Sequence, residues 1–510
     1  MNRNAARWFV DRHLEEGRGE RIAFREAAGQ KRSLSYDDLA SQSGQVADAL
    51  RRAGVRREDR AAMVVLDQIE FPTIFWGAIK AGVVPVPLNT LLATPVYQTI
   101  LRDSRASIVF VSEELLPVVL PAVQGCPDLR QIVVIGEAPE GTTAFTDFLQ
   151  DAQDHPTVDC CADEVAFWLY SSGSTGQPKG VRHVHSAMQA TCETYGAQVL
   201  GIREDDRVFS AAKLFFAYGL GNGMTFPMSV GATAILYNAR PTPDTMSAVL
   251  EAEKPTIFCG VPTLYAAMLN MWENQSSHPD APLRTCISAG EALPAEIGRK
   301  WHGLWGVDIL DGVGSTEMLH IFLSNAPGDV EYGTSGVAVP GYEIRLVDEA
   351  GAEVATGEVG ELLVRGASAA ADYWNQRGKS RGTFEGEWTR TGDKYERGAN
   401  GRMIYCGRTD DMFKVSGIWV SPFEVEQALI SHDAVLEAAV VAKRDDEGLE
   451  KPKAFVVLKP GRNQTEVAGL KEHVQGKIGK WKYPRWIEVV EDLPKTATGK
   501  IQRFKLREEA

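Results

Sequence analysis

The sequence has 510 residues, of which 44% are hydrophobic and 24% are charged. This length predicts more than one folding unit, and the composition excludes a disordered or fibrous protein. The formal net charge of −14 would repel a polyanion, so nucleic acid is not expected as a partner.

The N-terminal segment and the cysteines indicate a cellular compartment. Residues 1–20 are rich in charge and lack the apolar segment of a signal peptide, and no stretch of 18 uninterrupted apolar residues follows. The seven cysteines are odd in number and contain no Cys-x-x-Cys pair, which favours reduced thiols. We therefore expect a soluble, cytoplasmic protein with no membrane segment. The oligomeric state stays open, with a homodimer among the alternatives.

Residues 1–409 are expected to form one large domain of the α/β class. Apolar runs at 63–66, 108–111 and 132–135 predict buried strands, and the segments between them are long enough for helices. Turn-rich sequence joins two further predicted strands at 342–347 and 360–364, which favours an antiparallel portion. The large domain is therefore predicted to be composite, with two α/β subdomains and a β portion.

Residues 410–510 are expected to form a smaller, mobile α+β domain. Helices are predicted at 422–431 and 467–478, and strands are predicted at 436–442 and 453–458. Residues 411–510 hold 17 Lys and Arg against 16 Asp and Glu, whereas the rest of the chain holds 37 against 52. A near-neutral domain that brings lysines to an acidic one would suit an anionic substrate held between them.

The strongest chemical signal is the segment 170–180, Tyr-Ser-Ser-Gly-Ser-Thr-Gly-Gln-Pro-Lys-Gly, which follows a predicted strand at 165–169. Its glycines expose backbone N–H groups, and its hydroxyls and lysine add donors, so it is a candidate polyphosphate cradle. The Gly-Gln-Pro-Lys-Gly ending differs from that of an ordinary P-loop, and a flexible surface linker is the alternative. The candidate phosphate ligands are Ser171, Ser172, Gly173, Ser174, Thr175, Gly176 and Lys179.

Four more segments follow in a fixed order: Gly-Ser-Thr-Glu at 314–317, Thr-Gly-Asp at 391–393, Gly-Arg-Thr-Asp at 407–410 and Pro-Lys-Thr-Ala-Thr-Gly-Lys at 494–500. With the phosphate segment, this order resembles the adenylate-forming superfamily. That superfamily contains acyl-CoA synthetases, adenylation domains of peptide synthetases and firefly-type luciferases. The resemblance implies that ATP and coenzyme A are substrates and that Mg²⁺ is a cofactor. The third substrate is implied to be a small carboxylic acid, which the enzyme activates.

The chemistry of such an enzyme accounts for these motifs. A carboxylate is a poor electrophile, so it must first attack the α-phosphorus of ATP, giving an acyl-AMP and pyrophosphate; a thiolate then displaces AMP. Phosphoryl transfer of this kind needs positioning and positive charge against the phosphate oxygens.

The resemblance assigns roles to single residues that would otherwise be interpreted as loop charges. It implies that Glu317 binds Mg²⁺, that Thr316 offers a hydroxyl to the α-phosphate, and that Asp393 accepts hydrogen bonds from the ribose hydroxyls. Arg408 is expected to help hold the ribose and phosphate.

The adenine site departs from the family pattern, because Val313 stands where many members have an aromatic residue. Adenine stacking must then come from elsewhere or be replaced by apolar contact. The expected nucleotide-binding residues here are Gly290, Glu291, Ala292, Asp311 and Gly312.

The resemblance also implies a switch between two poses of the small domain. Lys500 is the expected adenylation lysine, which bridges the carboxylate and the α-phosphate. Asp410 is the expected hinge, and the segment with Lys414, Ser416 and Gly417 would replace Lys500 at the site for the coenzyme A step.

The acyl pocket is expected to start at Phe216, the candidate gate. A bulky Tyr218 favours a flat ring over a long alkyl chain, and His320 lies where related aryl-CoA ligases contact the ring edge. These stretches resemble benzoate-CoA ligases. The other pocket residues are expected to be Ala217, Gly219, Ala289, Gly314 and Ile321. Ordinary core packing is the alternative, and we favour it for Phe215 and Phe322.

Several alternatives stay open or fall away. His183 and His185 follow the phosphate segment without further ligands at metal spacing, so we interpret them as structural. A serine hydrolase is excluded by the missing Gly-x-Ser-x-Gly motif. An enzyme that loads a carrier protein, a luciferase-type oxygenase, and a ligase for 4-hydroxybenzoate or another substituted benzoate all remain.

Overall fold

The computed structural model describes residues 3–172, 178–275, 277–409, 411–415, 418–445, 449–462, 464–479, 482–495 and 501–508. Within these residues the chain forms a large N-terminal α/β domain and a separate small C-terminal domain, which confirms the predicted fold class. None of the helices in these ranges combines the length and the apolar character that a membrane span requires.

A parallel sheet forms the first α/β portion and contains the three apolar runs predicted as strands. Its strands, in spatial order, are Val84–Pro87, Arg60–Val64, Ala106–Ser112, Gln131–Ile135 and Thr143–Ala144. Ala61 and Met63 face one hydrophobic cluster, whereas Ala62 and Val64 face another. Burial of both faces explains why these strands are continuously apolar.

A larger mixed sheet forms the second α/β portion. Its strands, in spatial order across the sheet, are Val337–Ala338, Ile321–Ser324, Ile309–Gly314, Thr285–Ser288, Ile257–Gly260, Arg207–Ser210, Thr233–Leu236, Ile22–Glu26 and Ser33–Ser35. The strands between Ile309–Gly314 and Ile22–Glu26 pair in parallel, and the outer strands pair antiparallel.

Two antiparallel sheets complete the large domain. The first consists of Asp372–Tyr373, Pro178–Val184 and Val165–Ser172. The second consists of Glu343–Val347, Val359–Arg365, Trp388–Arg397, Phe384–Glu385 and Met403–Arg408, which confirms the antiparallel pair predicted at 342–347 and 360–364.

Helices cover the sheets of the large domain. The longer ones are Tyr36–Arg52, Glu70–Ala81, Thr94–Ser104, Pro243–Glu253, Pro262–Gln275 and Ala295–Trp305. Shorter α-helices are Arg12–Glu15, Leu116–Val119, Phe145–Phe148, His185–Thr191, Ala217–Leu220, Phe226–Val230 and Arg377–Thr383. Glu113–Leu115 is a 3₁₀ turn, and Arg7–Asp11, Cys192–Val199 and Gly221–Thr225 are π-helical.

Two helices pack against each other near the N-terminus, and local sequence determines where the first begins and where the second ends. Ser35 Oγ accepts the N–H of Asp38, and the Asp38 carboxylate accepts the N–H of Ser35, which forms a capping box for helix Tyr36–Arg52. Helix Glu70–Ala81 ends at Gly82, whose φ of 74° is a conformation that glycine adopts without strain.

The small domain has the predicted α+β composition. A sheet of Val435–Arg444, Glu450–Leu458 and Trp486–Val489 packs against helices Pro422–Ile430 and Leu470–Ile478. Strands Phe413–Val415 and Ile418–Val420 form a hairpin, and helix Arg503–Glu508 follows near the C-terminus. The predicted helix at 467–478 differs in its first residues, because Gln464–Gly469 is a 3₁₀ turn and the α-helix begins after Gly469.

Candidate active site

The site segments follow neighbouring parallel strands of the mixed sheet. Phe216 comes after Arg207–Ser210, residues 290–292 come after Thr285–Ser288, and residues 315–317 come after Ile309–Gly314. Because the carboxyl ends of parallel strands meet at one edge of a sheet, chain topology alone brings these segments together.

A cavity of about 1310 Å³ opens at this edge, and both domains line it. The small domain contributes Glu426, Ile501, Gln502 and Arg503, which face the large-domain residues across the cavity. A cavity of this size, between two domains, is a common place for a substrate that both domains must contact.

The described parts of the phosphate segment belong to two paired antiparallel strands, called the phosphate hairpin below. Strand Val165–Ser172 extends three residues beyond the predicted strand and pairs with Pro178–Val184, so that Ser171 stands opposite Lys179. Ser171 and Lys179 line the cavity, and Ser171 Oγ is buried with no hydrogen-bond partner among the described residues. Such an unpaired hydroxyl suits a phosphate oxygen.

Lys179 and Glu317 meet in the cavity as an ion pair that Tyr373 completes. Lys179 Nζ lies 3.1 Å from Glu317 Oε1 and 3.0 Å from Tyr373 Oη. The Tyr373 hydroxyl donates to the same Glu317 oxygen at 2.7 Å. Burial opposes ionisation of Glu317, but the charge of Lys179 and the hydrogen bond from Tyr373 hold its pKa below the ordinary value. Glu317 is therefore an ionised carboxylate near neutral pH.

His183 supports the loop that carries Thr316 and Glu317. It is buried, stacks on Phe167 with ring centroids 5.1 Å apart, and its Nε2 donates to the carbonyl oxygen of Thr316 at 2.9 Å. Burial lowers the pKa of His183 to about 4 and likewise that of His185, which accepts the N–H of Ala5. Both contacts agree with the structural interpretation of these histidines.

Asp393 and Arg408 form a second charged pair on the cavity wall. They stand opposite each other on strands Trp388–Arg397 and Met403–Arg408, and Arg408 Nη1 lies 2.9 Å from Asp393 Oδ1. Gly392 has a φ of 72°, and a side chain there would meet the Arg408 guanidinium at 2.8 Å. The positive φ favours glycine at this position, and any side chain there would also displace the guanidinium from its present place.

The expected adenine residues line one part of the cavity: Gly290, Glu291, Ala292, Asp311 and Gly312. Asp311 is 4% exposed, and its Oδ1 has no hydrogen-bond partner in the described part of the chain. Burial raises the pKa of Asp311 well above its ordinary value. A carboxyl group in this state can pair with polar edges of a base.

Phe216 and Gly314 of the expected acyl pocket also line the cavity, together with Val313. Ala217, Tyr218, Gly219, Ala289, His320 and Ile321 are not among its described lining residues. Phe322 is buried in the core, as predicted. Phe215 is also buried, but it lines the cavity beside Phe216, so its assignment to ordinary core packing is wrong.

Tyr218 and His320 lie together in an aromatic cluster. The Tyr218 hydroxyl reaches the carbonyl oxygens of Gly260 at 3.0 Å and Ile287 at 3.1 Å, which fixes the ring. The His320 ring centroid lies 5.9 Å from that of Tyr218, and 5.4 Å and 4.5 Å from those of Tyr195 and Phe226. Burial lowers the pKa of His320 to about 3, so this ring is neutral.

Several expected site residues lie outside the described residues. They are Gly173, Ser174, Thr175, Gly176, Asp410, Ser416, Gly417 and Lys500. The side chains of Ser172 and Lys414 are likewise not described. The roles of these residues stay predictions.

Tyr373 is the site residue that sequence reasoning missed. It belongs to strand Asp372–Tyr373, which pairs with Pro178–Val184, and Arg182 anchors the strand through two hydrogen bonds to Asp372. The sequence offered one signal, the aromatic pair Tyr373–Trp374 in a polar segment. Pairing across about 190 residues of chain could not be inferred from it.

Comparisons with known proteins identify the family of this chain. The family described as AMP-binding enzyme matches residues 10–374, and the AMP-binding enzyme C-terminal domain matches residues 424–500. The chain is 55% identical to a 4-hydroxybenzoate–CoA/benzoate–CoA ligase of Rhodopseudomonas palustris, over 99% of this chain and 94% of the relative. It is 54% identical to a benzoate–CoA ligase of Thauera aromatica, over 99% and 95%.

A crystal structure of a benzoate CoA ligase from Burkholderia xenovorans LB400 superposes with a TM-score of 0.92. The two chains are 50% identical, with 99% of this chain and 100% of that chain covered. These matches confirm the resemblance inferred from the ordered motifs. The chain therefore belongs to the AMP-binding enzyme family and carries that family's C-terminal domain.

Proposed function

We propose that this protein is an AMP-forming acid–thiol ligase that converts benzoate, or a close aryl carboxylate, to its coenzyme A thioester. Benzoate and ATP give benzoyl-AMP and pyrophosphate, and coenzyme A then displaces AMP to give benzoyl-CoA. The observation that carries the proposal is the cavity in which Lys179, Glu317 and Tyr373 meet beside the Asp393–Arg408 pair. The identity to relatives named as benzoate-CoA ligases supports the substrate.

The phosphates of ATP are proposed to lie against the hairpin, near Lys179 and the unpaired Ser171 hydroxyl. Glu317 fits a magnesium site, because Mg²⁺ prefers one or two carboxylates together with substrate phosphates. Mg²⁺ held by Glu317 and ATP would supply positive charge at the phosphate oxygens. Lys179, which already reaches Glu317 and Tyr373, then has a third acceptor when ATP is bound, and Tyr373 keeps the Glu317 carboxylate in place.

The nucleoside is proposed to lie between the Asp393–Arg408 pair and the loop of residues 290–292. The Asp393 carboxylate has the two acceptor oxygens that vicinal ribose hydroxyls require. Asp311 is the proposed partner of the adenine edge. Val313 lines the cavity where an aromatic residue is common, so we propose apolar contact rather than stacking on that side.

The ring of the acid is proposed to pass Phe216 and pack near Tyr218 and His320. A neutral His320 adds no charge next to the ring, which suits unsubstituted benzoate. One observation favours 4-hydroxybenzoate as a second substrate. His320 Nδ1 and Tyr195 Oη are buried without a hydrogen-bond partner among the described residues, and either could pair with a ring hydroxyl.

The second half-reaction is proposed to follow rotation of the small domain about Asp410. Rotation would withdraw Lys500 and present the segment with Lys414, Ser416 and Gly417 to coenzyme A. Ile501, the next residue after Lys500, lines the cavity, which supports an adenylation pose in this structure. We propose a domain boundary between residues 409 and 410, because the small domain is proposed to rotate about Asp410.

A substrate screen tests the proposal. Purified protein with ATP, Mg²⁺ and coenzyme A would be offered benzoate, hydroxy-, amino- and fluorobenzoates, cyclohexanecarboxylate and short alkyl acids, and AMP release would be measured. We expect benzoate and small ring-substituted analogues to lead the panel. Faster AMP release with alkyl acids would refute the aryl pocket.

The seven cysteines are free thiols, six of them buried, which supports a reducing compartment; we propose the cytoplasm.

A homodimer stays a prediction, for which light scattering of the purified protein is the test.

A further inference from the structure

Two contacts join the chain on either side of residues 496–500, which lie outside the described part of the chain. Lys495 and Ile501 form an isolated antiparallel bridge, and the N–H of Gln502 donates to the carbonyl oxygen of Pro494 at 2.7 Å. These contacts fix both ends of the segment that carries Lys500. Because Ile501 directly follows Lys500 in the chain, the position of the Ile501 backbone limits where the Lys500 backbone can lie.

The tail is held to the body of the small domain by charged pairs. Arg503 is hydrogen-bonded to both carboxylate oxygens of Glu426, at 2.7 to 3.1 Å, and Glu426 is 3% exposed. Arg507 is hydrogen-bonded to Asp411 at 2.7 Å, close to the proposed hinge. Ile501 therefore moves together with the small domain.

Among the described residues around Ile501, one hydrogen bond crosses to the large domain. The N–H of Ile501 donates to Glu291 Oε1 at 3.1 Å, and both residues line the cavity. Glu291 follows Gly290, whose φ of 97° turns the chain after strand Thr285–Ser288. Hydrogen bonds to an ionised carboxylate are stronger than neutral ones and orient their donors well.

We propose that Glu291 is a positioning residue that docks Ile501, and with it the neighbouring Lys500, for adenylation. This assignment rests on the proposed function, and it differs from the nucleotide contact expected for Glu291 from the sequence. The contact joins the two domains, so rotation of the small domain must break it. Glu291 therefore acts in the first half-reaction and has no part in the second.

Half-reaction kinetics provide the first test. Glu291→Ala should slow benzoyl-AMP formation by about 10- to 100-fold, the range that a hydrogen bond to a charged group spans. Thioester formation from supplied benzoyl-AMP should change less than about twofold. Glu291→Gln keeps an oxygen acceptor for the Ile501 N–H and should recover most of the rate. Glu296→Ala is the matched control, because Glu296 is exposed on helix Ala295–Trp305 and does not line the cavity.

Equal losses in both half-reactions would overturn the proposal, and so would a Gln variant as slow as the Ala variant. ATP affinity, measured without acid by equilibrium dialysis, should be the same in wild type and Glu291→Ala. Weaker ATP binding in the Ala variant would instead assign Glu291 to the nucleotide.

A distance measurement separates this proposal from the proposed function. Spin labels at Arg299→Cys and Lys505→Cys, both exposed positions, would report the separation of the domains in a Cys161→Ser background. With ATP, Glu291→Ala should reduce the short-distance population at least threefold, and Glu291→Gln should retain it. An unchanged distribution would refute docking by Glu291. If the wild type does not activate benzoate, the proposed substrate fails while this measurement still decides the role of Glu291.

Discussion

Replacing Tyr373 by Phe tests the arrangement around Glu317 with the change of one hydroxyl group. The variant loses the hydrogen bond donated to Glu317 Oε1 at 2.7 Å and the acceptor that Lys179 Nζ reaches at 3.0 Å. A hydrogen bond to a charged group contributes about 1.5 to 3 kcal/mol. If adenylation needs Glu317 ionised and oriented, kcat/KM for that step should fall by about 10- to 150-fold.

The pH dependence should change in a defined direction. In the wild type, burial raises the pKa of Glu317, whereas Lys179 and Tyr373 lower it more, and the net pKa lies below the ordinary value. Loss of the tyrosine hydroxyl leaves burial less opposed, so the pKa of Glu317 should rise. The acid limb of the adenylation rate should then move to higher pH.

The assay is benzoate-dependent pyrophosphate–ATP exchange from about pH 4 to 9, with thioester formation from benzoyl-AMP measured in parallel. Tyr332→Phe is the matched control, since the Tyr332 hydroxyl also donates to a carboxylate, that of Asp308, at 2.6 Å, and Tyr332 does not line the cavity. The control should lose a similar amount of stability and keep its exchange rate. An acid limb that is identical in Tyr373→Phe and wild type would refute the role assigned to this hydroxyl.

Three further predictions follow from the same structure. Lys500→Ala, or acetylation of Lys500, should abolish benzoyl-AMP formation but spare thioester formation from supplied benzoyl-AMP, because its charge is needed only while two anions approach; equal loss in both steps would contradict this. Asp410→Pro should show the opposite profile, because proline fixes φ near about −65° and limits rotation at the hinge; normal thioester formation, with thermal unfolding as the folding control, would show that the hinge lies elsewhere. Stability should fall as the pH is lowered from about 6.5 to about 4, by up to about 3 kcal/mol per pH unit in urea unfolding, because the unfolded chain binds protons that four buried neutral histidines do not, and this outweighs the opposite effect of the raised pKa values of Asp67 and Asp311. A flat profile from pH 7 to 5 would contradict the lowered pKa values of about 4 or 3 at His13, His183, His185 and His320.

Much of the large domain could be predicted because its strands are buried on both faces. The run 108–111 lies within strand Ala106–Ser112, in which every residue is buried, so continuous apolar character was a reliable signal.

The second strand of the phosphate hairpin, Pro178–Val184, was not predicted. Pro178, Lys179 and Gly180 are typical of loops, and their strand forms through pairing with Val165–Ser172 and with the distant Asp372–Tyr373.

The candidate site could be predicted where ordered motifs placed single residues on known chemistry. Glu317, Asp393 and Arg408 all line one cavity, as the motif order implied. Their partners could not be predicted, because Tyr373 reaches Glu317 through tertiary pairing and the Tyr218 hydroxyl reaches two backbone carbonyls far along the chain. The contact between Glu291 and Ile501 depends on the relative position of the two domains, about which the sequence contains no local signal.

The central claim is activation of an aryl carboxylate as its adenylate before coenzyme A takes part. Isotope exchange between pyrophosphate and ATP, measured with benzoate and Mg²⁺ in the absence of coenzyme A, tests this claim most directly. The account predicts benzoate-dependent exchange under these conditions, and AMP with benzoyl-CoA after coenzyme A is added. Exchange that required coenzyme A, or formation of ADP in place of AMP, would contradict it.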